Sequence, residues 1–326
     1  MENQFEYSAV IRTLGTAGEK YQKLLDSLNS QTIKPRQILV YIAEGYSIPK
    51  ETIGYEQYIY VKKGMVAQRA LQYQEINTEY ILFLDDDVLL SYNSVEMLYN
   101  YLKKESAAII APDVFPNADR PILNKVLMAV SGRMCPRYND KIWGYKVMRN
   151  SGYSYNNNPK SGVYLSETNA GPCFFCRKKD FLKIRFEEEL WLDRQKYPLG
   201  EDQVMFYKMH LLGLKQLTLF GSGIKHLDAG STLVDEDKKR TLIFADLYFK
   251  LVFWHRFIYM PDSSLLSSML NILSIFYLLM FTLSVSFLKF NFKIMRLKCK
   301  AIKDAVSFIR SNEYKNIPLI KKINIK

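Results

Sequence analysis

Tyr80-Ile81-Leu82-Phe83-Leu84-Asp85-Asp86-Asp87-Val88 decides the fold class. Five strand-forming, apolar residues run straight into three consecutive carboxylates. Such a segment reads as a buried strand with acids at its C-terminal end, the edge of an open α/β sheet where ligands sit. Three adjacent carboxylates repel one another unless a cation lies between them. A hard divalent ion, Mg²⁺ or Mn²⁺, is the natural neutraliser, and such ions usually also hold substrate phosphates. The bland alternative is a solvated acidic turn.

Upstream, Ser8 to Thr13 reads as a first strand. Thr16 and Glu19 have capping-box spacing before a helix to about Asn29, with Leu24, Leu25 and Leu28 on its apolar face. Gln37–Ile42 and Tyr58–Val61 read as further strands, Val66 to about Gln74 as a helix, Ser94 to Lys104 as a helix capped by Ser94, and Ala107–Ala111 as a strand. Alternation of this kind predicts a mostly parallel central sheet with helices on both faces. A Gly-rich GxGxxG turn after the first strand is absent, which disfavours a dinucleotide fold.

Residues 112–166, rich in Asn, Tyr, Arg and Gly, read as a long excursion over the active-site edge. Regularity returns with the apolar strand Pro172–Cys176, a short helix from Lys179 to Ile184, and a helix over Val204–Leu212 behind Gly200-Glu201-Asp202. An acidic pair there suits the helix dipole without any further role. Leu217–Phe220 reads as a strand. His226 follows, and a lone histidine is more often a satisfied structural residue than a ligand.

The 326 residues carry a net charge of +12, of which much lies at the end: from Lys289 onward there are eleven Lys and Arg against Asp304 and Glu313. Four cysteines make no disulfide framework, and Cys173 and Cys176, with no second pair to complete a zinc site, read as core residues. The polar N-terminus does not resemble a signal peptide, so a cytoplasmic setting is expected.

Taken together, the ordered signals resemble the family 2 glycosyltransferases of GT-A fold, over roughly residues 7 to 230. Ser27 to Thr32 with Pro35 is similar to the family's first helix and following strand, Gly64 to Arg69 to its glycine-to-arginine helix, and Tyr80 to Asp87 to its strand and DxD motif. Asn169-Ala170-Gly171 and Gly200-Glu201-Asp202 are similar to its acceptor-side loop and ED motif. The resemblance implies a metal-dependent inverting glycosyltransferase. Asp87 and Asp85, with His226 as a further contact, would hold Mg²⁺ or Mn²⁺. Thr13, Glu44, Arg69, Asp85, Asp86 and Asn169 would contact the nucleotide-sugar donor. Asp202 would be the general base and Glu201 would orient it. A UDP-sugar is the expected donor, but this chain departs from the family at Glu44, where an Asp commonly grips the uracil, and the longer side chain leaves dTDP and GDP sugars open. The domain division implied is a catalytic unit over 1–235, with a nucleotide-sugar-binding half to residue 111 and an acceptor-side half from 112, followed by a helical region over 236–326.

That last region reads as an aromatic-rich helix over Lys238–Met260, then 26 residues without charge, 263–288, long enough to cross a bilayer. Ser264, Ser267, Ser268, Asn271 and Ser274 share one face, and a single crossing would put the basic tail outside, so an in-plane or re-entrant arrangement is favoured over a single pass. Ile294, Leu297, Ala301, Ile302, Ala305 and Ile309 form an apolar stripe suited to a helix lying on anionic lipid. The partners expected are therefore a nucleotide-sugar, a lipid-linked or polysaccharide acceptor, and an anionic membrane surface at the cytoplasmic face. Nucleic acid is not expected, because aromatic interleaving is lacking in the tail. Homo-oligomerisation is left open. The rival readings are a sugar-phosphate nucleotidyltransferase and a non-catalytic membrane scaffold carrying a degenerate transferase domain.

Overall fold

A computed structural model describes residues 5–115, 121–134, 142–195, 199–228, 236–262 and 264–320. Cys135, Pro198, Ser263 and the 235/236 division lie outside the described residues or at their edge.

In chain order the elements are β1 (Tyr7–Thr13), α1 (Glu19–Asn29), β2 (Gln37–Ala43), β3 (Glu56–Val61), β4 (Tyr80–Asp85), β5 (Val88–Leu89), α2 (Ser94–Lys104), β6 (Ile109–Pro112), α3 (Ile122–Val130), β7 (Lys146–Val147), β8 (Ser154–Tyr155) and β9 (Gly162–Ser166). Then come β10 (Cys173–Arg177), α4 (Lys178–Leu182), a 3₁₀ turn (Phe186–Arg194), α5 (Glu201–Leu211), β11 (Gln216–Phe220) and β12 (Lys225–His226). The chain finishes with α6 (Glu236–Trp254), a π turn (His255–Tyr259), α7 (Leu265–Leu288), α8 (Phe292–Arg310) and α9 (Asn312–Lys315).

The central sheet has the order β3-β2-β1-β4-β10-β6-β11-β9. It is mixed: β10 runs antiparallel to both β4 and β6, and β9 antiparallel to β11, while the other pairings are parallel. Strands buried on both faces read as continuous apolar runs. In β4, Tyr80, Leu82 and Leu84 face a core shared with α1 and α2, whereas Ile81 and Phe83 face a core shared with α5 and α6.

Several local expectations fail for identifiable reasons. The Thr16–Glu19 capping box does not form: Gly18, at φ 58°, precedes the helix, and no side chain caps it. Asn93, not Ser94, occupies the cap position of α2. Residues 64–70 make only a short turn, held by N–H donation from Val66 and Ala67 to the Asp193 carboxylate at 2.9 and 2.8 Å. The π turn ends the regular α6 at Trp254. The 112–166 stretch is not all excursion, because β9 is the far edge strand of the main sheet.

The C-terminal helices are built into the same core as the sheet. Phe249, Val252 and Phe253 of α6, Phe257, and Ala305 of α8 belong to the cluster that contains Phe83 and Phe174. The apolar stripe of α8 is therefore not free for lipid: Ala301 and Ala305 are fully buried, and Ile302 and Ile309 pack on that cluster. Glu189 ties this layer down. Its carboxylate accepts from Arg256 at 3.0 and 2.7 Å, from Lys208 at 3.0 Å and from Trp191 at 2.7 Å.

Helix α7, which gives Ile275 and Leu278 to the same core, is one unbroken helix, apolar and long enough to cross a membrane. Asn271, Ile275, Leu278, Thr282 and Ser286 form its buried stripe. Its other side exposes Leu266, Leu270, Leu273 and Phe276. Helix α3, none of whose residues is buried, exposes Ile122, Leu123 and Val126 beside it, and Tyr277 of α7 donates to the Val130 carbonyl at 3.0 Å.

Lys250 of α6 is half-buried between the Tyr153 and Phe249 rings, 5.0 and 5.2 Å from their centroids, and donates to Gln203. Burial lowers its pKa to about 8, against a partly opposing pull from Asp246. A folded-state pKa below the free value means stability present above pH ~10.5 and lost as pH falls towards 8. Lys250→Met is expected to raise stability at pH 7 by about 1–2 kcal/mol, after subtraction of the lost cation–π and hydrogen-bond contacts. Thermal melting at a series of pH values should show this gain shrinking as pH rises from 8 to 10.5.

Candidate functional site

The parallel pairing of β1 with β4 sets Arg12 beside Asp85. Strand order reverses between these two strands, since β2 and β3 lie to one side of β1 and β4 to the other. Their C-terminal ends therefore meet at the crevice where an open α/β sheet takes ligands. Thr13 ends β1 and Asp85 ends β4. Asp86 and Asp87 form the turn that leads into β5. β5 pairs with β12, with Val88 opposite His226, and Leu227 donates its N–H to the Asp87 carbonyl at 2.8 Å. This small ladder brings His226, remote in sequence, onto Asp87: Nε2 and Oδ2 are 2.9 Å apart.

A cavity of about 770 Å³ opens here. Its walls include Thr13, Asp85, Asp86, Asp87, Glu201 and His226, together with Lys20, Asp193 and Asp228. Its size is that of a small-molecule site.

The three aspartates differ sharply. Asp85 is clamped: Arg12 donates through Nε at 2.5 Å and Nη2 at 3.0 Å, and Arg69 through Nη2 at 3.2 Å. Burial opposes its ionisation, but the two guanidiniums outweigh burial and hold its pKa below the usual value. Asp86 accepts from Thr13 Oγ1, yet burial, with Asp85 and Asp87 nearby, pushes it up to about 6. Asp87 pairs with His226, and that hydrogen bond raises the imidazole pKa against the effect of burial. His226 Nδ1 is buried with no hydrogen-bond partner among the described residues.

Arg69 links this rim to α5. Its Nη1 donates to Asp202 Oδ1 at 2.6 Å, and its Nη2 donates to the Gly171 carbonyl at 2.6 Å as well as to Asp85. Gly171 N–H donates in turn to Asp202 Oδ2 at 2.9 Å. A Cβ on Gly171 would sit 1.8 Å from Asp202 Oδ1, so this position has no room for a side chain while Asp202 keeps its place. Glu201 lies 3.5 Å from Arg12 Nη2, and burial and the like charge of Asp202 raise its pKa.

Two expected donor contacts are displaced. Glu44 is exposed beyond β2, with its N–H bonded to the Val61 carbonyl at 2.8 Å, and is absent from the cavity wall. Asn169 is buried and bonded to Thr218 at 2.5 Å and Gln216 at 3.4 Å, a structural linkage between the loop and β11. Arg12, Lys20 and Asp228 escaped the sequence reading. Arg12 could have been found, because an arginine inside a buried strand must have a carboxylate partner. Lys20 and Asp228 meet only through the fold, as an ion pair 208 residues apart in sequence.

Among the described residues, no group of three or more His, Cys, Asp or Glu side chains is arranged to hold a metal ion. Both oxygens of Asp85, expected as a metal ligand, are engaged by Arg12 and Arg69. Asp87 and His226, beside Asp86, are bonded to each other through Oδ2 and Nε2, and would have to exchange that bond for an ion to serve as a partial donor set. Mg²⁺ is commonly held by one or two carboxylates and completed by substrate phosphates and water, and imidazole also suits transition metals. No protein-family model matches the chain, and no curated protein matches it.

Proposed function

We propose that the protein is an inverting, metal-dependent glycosyltransferase of GT-A type that moves a sugar from a nucleotide-sugar to a hydroxyl of a lipid-linked or cell-envelope acceptor, working against the cytoplasmic face of a membrane. The observation that carries the reading is Arg69, one buried guanidinium that joins the acidic end of β4 to Asp202 of α5. Arg69 sets the candidate base Asp202 one guanidinium away from Asp85, whose neighbours Asp86 and Asp87 line the cavity, although Asp202 itself is not among the lining residues, and this proximity supports a single-displacement sugar transfer.

Asp87 and His226, with Asp86 beside them, would hold the ion, which when bound neutralises charge on the departing nucleoside diphosphate. Thr13 positions Asp86. Arg12 and Arg69 keep Asp85 ionised and fixed. Asp202 would accept the proton of the acceptor hydroxyl. Two donors already orient its carboxylate, and a carboxylate has about four acceptor positions, so lone pairs remain for that proton. Glu201, whose ionisation is opposed by burial, would orient the site through Arg12. The exposed apolar sides of α7 and α3 support a membrane-bound acceptor.

The test is a thermal-shift screen of the full chain with UDP-, dTDP- and GDP-sugars, with and without Mn²⁺. One donor class is expected to stabilise only when the ion is present, by about 2.7 kcal/mol at a hundredfold excess over Kd. Absence of any nucleotide-sugar response, or release of pyrophosphate as product, would overturn the reading.

A further inference from the structure

A second cavity, of about 390 Å³, lies between α3, α7 and α8. Leu127, Phe281 and Val285 give it apolar walls. Among the described residues, the charged ones lining it are Arg133 and Lys298, with no carboxylate. Arg133 donates to Thr282 Oγ1 at 3.2 Å, while its Nε is buried without a hydrogen-bond partner among the described residues. Lys298 donates only to neutral oxygens in the bonds found for it, the Thr282 carbonyl at 3.2 Å and Ser286 Oγ at 2.8 Å. Burial, then repulsion from Arg133 and Lys289, loosens its proton. Arg133 also stacks on the Tyr153 ring, 4.6 Å from its centroid; two partly buried cations with no carboxylate among the described lining residues are still costly, and a bound anion would offset that cost. The chemistry around them is that of lipid: the cavity lies at the junction of the two helices whose apolar sides are exposed, Ile122, Leu123 and Val126 on α3 and Leu273 and Phe276 on α7.

We propose that this cavity binds the anionic phosphate headgroup of a membrane lipid, with Arg133 and Lys298 donating to the phosphate oxygens and the α3–α7 surface carrying the acyl chains. Planar guanidinium and ammonium donors together match a phosphate, and the apolar walls beside them match the first methylenes of the chains. The site stands apart from sugar transfer: it uses none of the residues of the acidic cavity, and its test needs no turnover.

The full chain, purified in a nonionic detergent, would be titrated with phosphatidic acid, with phosphatidylcholine of the same acyl chains, and with inorganic phosphate. The readouts are retention of a fluorescent lipid and the melting temperature. Phosphatidic acid is expected to bind saturably and to stabilise, well ahead of the other two. Arg133→Gln and Lys298→Gln should each lose about tenfold or more in affinity, the worth of one charge-assisted hydrogen bond. Lys293→Gln with Lys300→Gln, which removes two exposed lysines of the same helix, should leave affinity unchanged. Leu127→Trp, which fills the apolar side, should weaken lipid binding without altering either cation, and it carries the test with Lys298→Gln if the Arg133 variant does not fold. Equal binding of phosphatidylcholine, inorganic phosphate binding as tightly as the lipid, or an equal loss in the Lys293/Lys300 control would each overturn the assignment.

Discussion

Asp202→Asn is expected to lower turnover by about 10³-fold, within the range for loss of a general base, while the protein stays folded. The substitution keeps the shape and one acceptor oxygen for the Gly171 N–H, but it turns an amide N–H₂ towards Arg69. Two donors then face each other, so a stability loss of about 1–3 kcal/mol should accompany the kinetic one. Nucleoside diphosphate release, read beside a melting curve, separates the two effects. Gly171→Ala is the companion variant: it leaves the carboxylate in place chemically but forces it to move, so turnover should fall with no change at residue 202. Activity within tenfold of the parent in Asp202→Asn would remove Asp202 from the role of base.

Glu189→Ala should be the most damaging single change to stability. It strands the buried Arg256 and takes one of two carboxylate partners from Lys208, which keeps Glu188 at 2.7 Å. Removing one partner of a buried ion pair costs about 3–5 kcal/mol. The reason is the uncompensated charge, so the double variant Glu189→Met with Arg256→Met should recover most of the loss. Melting temperatures of the two singles and the double form the required cycle. A double no more stable than Glu189→Ala would show that the carboxylate acts through something other than its charge.

How much of this could be read from the sequence varies with the physics of each element. Strands β1, β2 and β4 were legible because burial on both faces writes an uninterrupted apolar run. Strand β9 was not: it lies at the sheet edge, where Leu165 is exposed, and its five residues follow an Asn-rich loop. The turn over 64–70 has helix-forming residues, but the chain leaves helical geometry by Tyr73, at φ 50°. Helix α3 was not legible either, although Ile122, Leu123, Val126, Leu127 and Val130 recur at helical spacing, because the Asn-, Tyr- and Gly-rich stretch around it reads as one excursion. For α8 the stripe was read correctly and its cover wrongly, since an amphipathic pattern says that a face is covered but not by what. At the site, Asp86, Asp87 and Glu201 were expected together and lie on one cavity wall, while Arg12 shows that the acidic triplet is built as one neutralised carboxylate and two others.

The way α8 folds back onto α6 sets where the gene can be cut. Stopping translation before α7 would strip the cover from α6 and from Trp191, whose ring lies 5.5 Å from Phe308, and leave an insoluble remnant. Deleting α7 alone would open that core as well, since Ile275 and Leu278 belong to it, so α6, α7 and α8 act as one cover for this face of the sheet.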